Sequence, residues 1–501
     1  MIRAMDDREV IARSLPPPVD VPVDGHFAGK LTPHLRSELY GWAGLALAAL
    51  GLAGVLALLL ALARVPGAEM IFPWTGQTFF RKLLVVHVSF AFVVWYLGVQ
   101  GAMTVVATAQ AVAERNADVG GLGIVVGRAS VYGFGLSFIM LLIPALADLG
   151  EPSINNYVPL LVHPLYFAGL TLLAVCVALP ILRLLVLLSR QRFVEAGTFG
   201  VACAGVIYLL AMVCIVAAWL TLPPNTGLEG AAEYVMWGGG HILQFANTAL
   251  MLCGFYLLVR VTLGETPLPA QWFRGMMLLL VAGAAAGPLL YLTYEGGSPA
   301  MRLTFTHLYW YALPVPAAVV MLSVVRLLIR RKRDVWAGAP EIKGVAAALV
   351  LFGIGGIFGF FEGSVDTRTP SHYHAMLIAV TLGFIALYFG LFLPLLHRRT
   401  ERRRLRTSMY LLLGGGQLIH SLGLFVAGME GVARKTAGAA QEIDTVTKFT
   451  FLAIQGFGGV IAVAGGIIFI FTAGKLLLAK SVRDVTASPH AGATNVSAKY
   501  D

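Results

Sequence analysis

The sequence predicts an all-α polytopic membrane protein with twelve transmembrane helices, and three observations carry that reading. Of 501 residues, 58% are hydrophobic and 12% are charged, with a mean hydropathy of +0.80. That balance lies outside the range of soluble globular domains. Apolar runs long enough to cross a hydrocarbon core of ~30 Å recur along the chain, and the charges collect in the short stretches between them.

In order, the runs cover about 39–64, 81–110, 122–147, 157–189, 197–222, 233–263, 272–294, 301–329, 342–362, 371–397, 407–428 and 448–479. This divides the chain into an N-terminal segment 1–38, a membrane domain 39–480 and a polar tail 481–501. The first segment carries Pro16-Pro17-Pro18 and several charges but no apolar h-region, so it does not read as a signal peptide. The tail reads as disordered.

Basic clusters follow even-numbered spans: Arg190 and Arg192, then Arg330-Arg331-Lys332-Arg333, then Arg399 through Arg406. The loops after odd-numbered spans lean acidic, with Asp148, Glu151, Glu229, Glu233, Glu295, Glu362 and Asp366. By the positive-inside rule both termini are expected to be cytoplasmic. Arg81-Lys82, at the outer start of span 2, run against it. The net charge of +10 is therefore a topology signal and predicts no nucleic-acid partner. Cys176, Cys203, Cys214 and Cys253 all fall inside apolar runs, with no CxxC or CxxCH spacing. That excludes a covalent haem motif and argues against structural zinc or a disulfide framework; the four read as small buried apolar residues.

The most specific signal is Ser371-His372-Tyr373-His374-Ala375-Met376, which opens span 10. Two histidines at i and i+2 of a helix point roughly 200° apart. They cannot easily share one metal, but they can serve two cofactors on opposite faces of one helix. Imidazole is the usual axial ligand of haem iron, so the doublet suggests two haems. His87, His241 and His307 lie about six to eight residues into spans 2, 6 and 8. With the doublet they share one depth, in the outer third of the membrane. Independent core histidines have no reason to share a depth, and a transporter would explain the twelve spans but not this alignment.

At these residues the chain resembles subunit I of the haem-copper oxidase superfamily, which includes cytochrome c oxidases and nitric oxide reductases. Gly353-Ile354-Gly355-Gly356-Ile357-Phe358-Gly359, followed by Asp366-Thr367 and His372-Tyr373-His374, looks like the family's passage from span 9 to span 10. Val86-His87-Val88 with Trp95 looks like its span 2, and Trp237-Gly238-Gly239-Gly240-His241 like its span 6. Gly428-Met429, then Arg434-Lys435, is similar to the basic pair that holds haem propionates. The resemblance implies a subunit I-like twelve-helix bundle. It makes His87 and His374 axial ligands of a low-spin haem, His372 the proximal ligand of a high-spin haem and His241 a copper ligand. Arg434 and Lys435 become propionate partners.

The chain also departs from the family. Where the family has adjacent histidines near the outer end of span 7, this chain has Leu290-Tyr291-Leu292-Thr293-Tyr294-Glu295. Thr306-His307-Leu308-Tyr309-Trp310 resembles the pair of the nitric oxide reductases, but with one histidine and on span 8. Phe245 stands where oxidases carry a cross-linked tyrosine, with Gln244 beside it. The second metal is therefore expected to be copper, or a harder ion held by His241 and His307 with Glu295 or a tyrosine such as Tyr294.

The function implied is that of a respiratory-chain terminal oxidoreductase in the bacterial inner membrane. Electrons would come from a donor subunit, cytochrome c or quinol, pass a low-spin haem and reach a high-spin haem and metal site. Oxygen is the default substrate and nitric oxide the rival, with a non-catalytic haem relay or gas sensor as the alternative. Among other polar residues, His163 reads as packing and His420 as a propionate partner or packing. His26, His34, His397 and His490 read as solvated or interfacial. Arg128 and Glu362 are expected to face protein or water.

Overall fold

The computed structural model describes residues 31–62, 77–115, 118–154, 159–333, 338–361, 365–434, 436 and 441–479. The termini outside those limits, Glu362 and Lys435 therefore lie outside the described residues. Twelve apolar helices occupy the places of the twelve predicted spans: α1 Pro33–Leu60, α2 Phe80–Glu114, α3 Gly120–Leu146, α4 Pro164–Leu188, α5 Ala196–Leu220 and α6 Gly230–Leu263, then α7 Ala270–Thr293, α8 Pro299–Arg330, α9 Pro340–Gly359, α10 Arg368–Leu395, α11 Arg403–Met429 and α12 Val446–Leu478. α4 starts seven residues later than expected. The stretch before it forms a hairpin, β1 (Glu151–Ser153) antiparallel to β2 (Leu160–Val162), with Glu151 opposite Val162. His163 then caps α4, its Nδ1 accepting from the Leu165 N–H at 3.2 Å, so its role is local.

Three helices form the centre. The apolar windows of α2, α6 and α10 are 78%, 89% and 78% buried, against 28% for α3, α7 and α12. These three carry His87, His241 and the His372/His374 doublet. Hydropathy could not single them out, because every span is apolar; their histidines did. α2 and α10 are joined by the Tyr96 hydroxyl, which donates to the Leu377 carbonyl at 2.5 Å. The Tyr388 hydroxyl of α10 donates to Ala43 of α1 at 2.7 Å. Each of the two helices also contains a π-helical stretch, Ser89–Val94 and Tyr388–Phe392. Trp95, just past the first, stacks on Tyr388, at the start of the second, with ring centroids 5.5 Å apart.

α11 and α12 cross with their backbones nearly touching. A Cβ built on Gly416 would lie 2.4 Å from the Ala462 nitrogen, and one on Gly458 would lie 2.4 Å from the His420 nitrogen. Gly423 and Gly465, one heptad further on each helix, meet Gln455 and Leu413 equally closely. Small residues at such crossings are how membrane helices gain packing without a hydrophobic drive between them.

Charges inside the bundle are paired. Arg183 of α4 makes a two-pronged contact with Glu38 of α1, 3.0 and 2.7 Å, and donates to the Gly123 carbonyl of α3 at 2.8 Å. Lys82, 4% exposed, pairs with Asp148 at 2.6 Å, so the anomalous basic residue at the start of α2 is neutralised by the loop after α3. Arg128 is exposed on α3 and lies 3.3 Å from the ring of His34, close to the helix end where a long side chain can reach the interface.

The buried Glu38–Arg183 pair yields a stability test. Removing one partner of such a pair costs about 3–5 kcal/mol, whereas replacing both with apolar residues is close to neutral. Glu38→Ala should therefore lower the unfolding temperature of the detergent-purified protein sharply, and Glu38→Met with Arg183→Met should recover most of the loss.

Candidate haem site

His87, His372 and His241 each direct Nδ1 at a backbone carbonyl. His87 meets Ala53 of α1 at 2.9 Å, His372 meets Gly355 of α9 at 2.7 Å, and His241 meets Trp237 of its own helix at 2.8 Å. A carbonyl can only accept, so Nδ1 carries the proton and Nε2 is the unprotonated nitrogen. This is the tautomer in which an imidazole ligates a metal, with the second nitrogen held by an orienting partner. Gly359 makes room for His372: a Cβ there would fall 2.8 Å from its Nδ1. The His374 ring lies against Tyr373 and the ring of His420, each with centroids 5.1 Å away. His87, His372 and His374 are half-buried. As donors these imidazoles are of the kind that holds haem iron, and the candidate sets are His87 with His374 and His372 by itself.

The proposed second-metal residues do not converge. His241 is 3% exposed, and its neighbours are aromatic, with ring centroids at 5.0 Å for Trp237, 5.7 Å for Phe305 and 6.4 Å for Tyr309. His307 is exposed, and its ring neighbours are Trp310 and Tyr311. The reason is periodicity. Phe305 and Tyr309, four apart, face His241, and His307 between them is turned roughly 200° away from each. Tyr294 is also exposed and shares a hydrogen bond with Thr304 at 3.2 Å, and Glu295 is exposed in the turn between α7 and α8. The tyrosine that does approach the His241 helix is Tyr291, one turn earlier: a Cβ on Gly238 would meet its hydroxyl oxygen at 2.2 Å. Among the described residues, no three His, Cys, Asp or Glu side chains are grouped to hold a metal ion. A copper ion needs more than the single imidazole of His241, so the donor set here does not fit one.

Beside the doublet, the loops after α9 and α11 clasp each other. Thr367 N donates to the Val432 carbonyl and Arg434 N to the Val365 carbonyl, both at 3.0 Å. Arg368 grips Asp366 with two side-chain contacts, 3.0 and 2.7 Å, and its backbone N–H donates to Asp366 at 2.9 Å. This places Arg434 near Asp366 at the mouth of α10, as a propionate-binding role would require. Burial pushes the Asp366 carboxyl up, but the Arg368 hydrogen bonds and the charges of Arg368 and Arg434 outweigh it. The net effect holds the group below the usual carboxylate range. A depressed folded-state pKa stabilises the fold above the unfolded pKa of about 3.9, and that contribution is lost as pH falls through the folded value. Thermal unfolding followed below about pH 4 should show an acid-induced loss of stability that is smaller in Asp366→Asn.

A bundle of twelve apolar helices whose three most enclosed members carry the candidate histidines is the arrangement of the haem-copper oxidase class of membrane oxidoreductases. The family model described as Cytochrome C and Quinol oxidase polypeptide I matches residues 39–461, and the chain belongs to that family. It is similar to an uncharacterised protein of Rickettsia prowazekii (strain Madrid E), 23% identical over 89% of this chain and 96% of the relative. It is also similar to one of Aquifex aeolicus (strain VF5), 26% identical over 70% and 83%. Among solved structures, a heme-copper terminal oxidase dimer seen by cryo-EM matches with a TM-score of 0.71. That match is 16% identical over 90% of this chain and 86% of the other, a likeness of fold.

Proposed function

We propose that the chain is the haem-carrying catalytic subunit of a terminal oxidoreductase, with oxygen the default substrate. The observation that carries this is the His372/His374 doublet on an enclosed helix, with His372 held on Gly355 and His87 held on Ala53 in the ligating tautomer. When bound, the two haems would supply one-electron transfer and an open position for a diatomic gas. His87 and His374 would hold one from spans 2 and 10, and His372 would hold the other from the second face of span 10. Arg434, and Lys435 next to it in sequence, would neutralise propionates at the outer end. His241, with Trp237, Phe305 and Tyr309 around its ring, would line the gas site, and its unprotonated Nε2 could accept a proton during reduction. Electrons would come from a separate donor, either a partner subunit, cytochrome c or quinol. The setting would be a bacterial inner membrane with both termini cytoplasmic.

The second-metal misfit favours a second reading. With one histidine at the distal position and Phe245 in place of the oxidase tyrosine, the pocket suits nitric oxide reduction or non-catalytic gas binding better than four-electron oxygen chemistry.

Reduced-minus-oxidised and carbon monoxide difference spectra, with iron and copper measured on the same purified sample, test both. Two irons per chain with one haem binding carbon monoxide are expected, and no haem would overturn the proposal. Copper far below one per chain would support the second reading, and stoichiometric copper would remove it. His372→Ala should abolish carbon monoxide binding and spare the low-spin spectrum. His87→Ala should do the reverse.

A further inference from the structure

His420 lies beside the doublet and has no part in the proposed function. It sits on α11, which runs opposite to α10, and the glycine seam with α12 fixes its place. Gly458 lets the α12 backbone reach the His420 nitrogen, and a Cβ on Gly459 would come 3.2 Å from its Nδ1. That Nδ1 lies 3.0 Å from the Gln455 carbonyl of α12 and 3.3 Å from the Gln455 side-chain nitrogen. The two contacts demand opposite tautomers, since the carbonyl needs an N–H and the amide needs a lone pair. The shorter one selects Nδ1–H, donated to the carbonyl. The imidazole thus anchored stands edge-on to the ring of His374, with centroids 5.1 Å apart and planes at 63°. Tyr373 lies against the same His374 ring at 29°. An ionisable ring at membrane depth is expensive, and retaining one there marks a working part.

We propose that His420 is a positioning residue that sets the plane of the His374 imidazole, and through it the electronic state of the low-spin haem. This rests on the reading that His87 and His374 hold that haem. The orientation of an axial imidazole governs how the iron d orbitals split, and partners behind a ligand typically tune the metal it holds. The aromatic edge of His420 blocks rotation of the His374 ring, and the Gln455 carbonyl keeps the His420 ring from turning with it. In this arrangement α12, which contributes no ligand, reaches the haem through two steps of contact.

The test uses the full-length purified protein and two variants. His420→Phe keeps the ring volume but removes the Nδ1–H anchor. Gly459→Ala keeps both histidines and crowds the anchored nitrogen from α12. The readouts are the electron paramagnetic resonance g values of the ferric low-spin haem and its reduction potential. Haem content and carbon monoxide binding report on the fold and on the other haem. Both variants are expected to retain two haems and carbon monoxide binding while shifting the low-spin g values and the potential. Unchanged low-spin signals in both would overturn the proposal, as would haem loss in His420→Phe with wild-type signals in Gly459→Ala, because His420 would then be packing alone. A wild-type protein with no bis-histidine haem would instead overturn the underlying reading, and the inference with it.

Discussion

An imidazole enclosed in part or whole by a membrane helix bundle needs an acceptor for its N–H, and the acceptors at hand are helix carbonyls with a second lone pair to offer. Four histidines of this chain meet that constraint in the same way, through Nδ1. Three of the bonds cross between helices: α2 to α1, α10 to α9 and α11 to α12. Each fixes a ring relative to a neighbouring backbone, so the ligand geometry is built into the helix packing. The fourth, from His241 to Trp237, stays within α6. His241 is therefore oriented without being tied to another helix, and it is also the histidine whose expected metal partners do not assemble around it.

Much of this arrangement was legible in the sequence. Twelve apolar runs give twelve helices, since composition alone decides whether a segment can span a bilayer. The central trio followed from their histidines. What hydropathy could not give was the facing of a helix that is apolar all round. His307 was assigned by depth when rotation mattered: Phe305 and Tyr309 occupy the inward face, and a residue midway between them must point out. Tyr294 and Glu295 fail for a related reason, since they lie past the last inward turn of α7, whereas Tyr291 lies on it. His420 was read as a propionate partner or packing, and its contact with His374 was not foreseen because a crossing of two glycine-rich helices leaves no mark in either sequence that says which residue it brings to a third helix.

The charged residues follow the same economy. Lys82, the exception to the charge asymmetry, is matched by Asp148 from the next loop, and Arg183 is matched by Glu38 from a helix far away in sequence. A charge that cannot be read as a topology signal turns out to be half of a pair. Arg128, beside the His34 ring, lies exposed near a helix end instead.

The two π-helical stretches, Ser89–Val94 on α2 and Tyr388–Phe392 on α10, have a consequence for how this bundle can change. A π turn accommodates one residue more than an α turn, so the segments on its two sides are out of phase by about 100°. Deleting a single residue from Ser89–Val94 would let the turn relax to α with the facings of His87 and Trp95 kept, whereas the same deletion from a regular α-helical stretch would swing one against the other by that angle. The histidine end and the aromatic end of each helix are thus two independently phased halves. Each π turn is thus a reserve of one residue, able to absorb a single deletion while both ends of the helix still face inward.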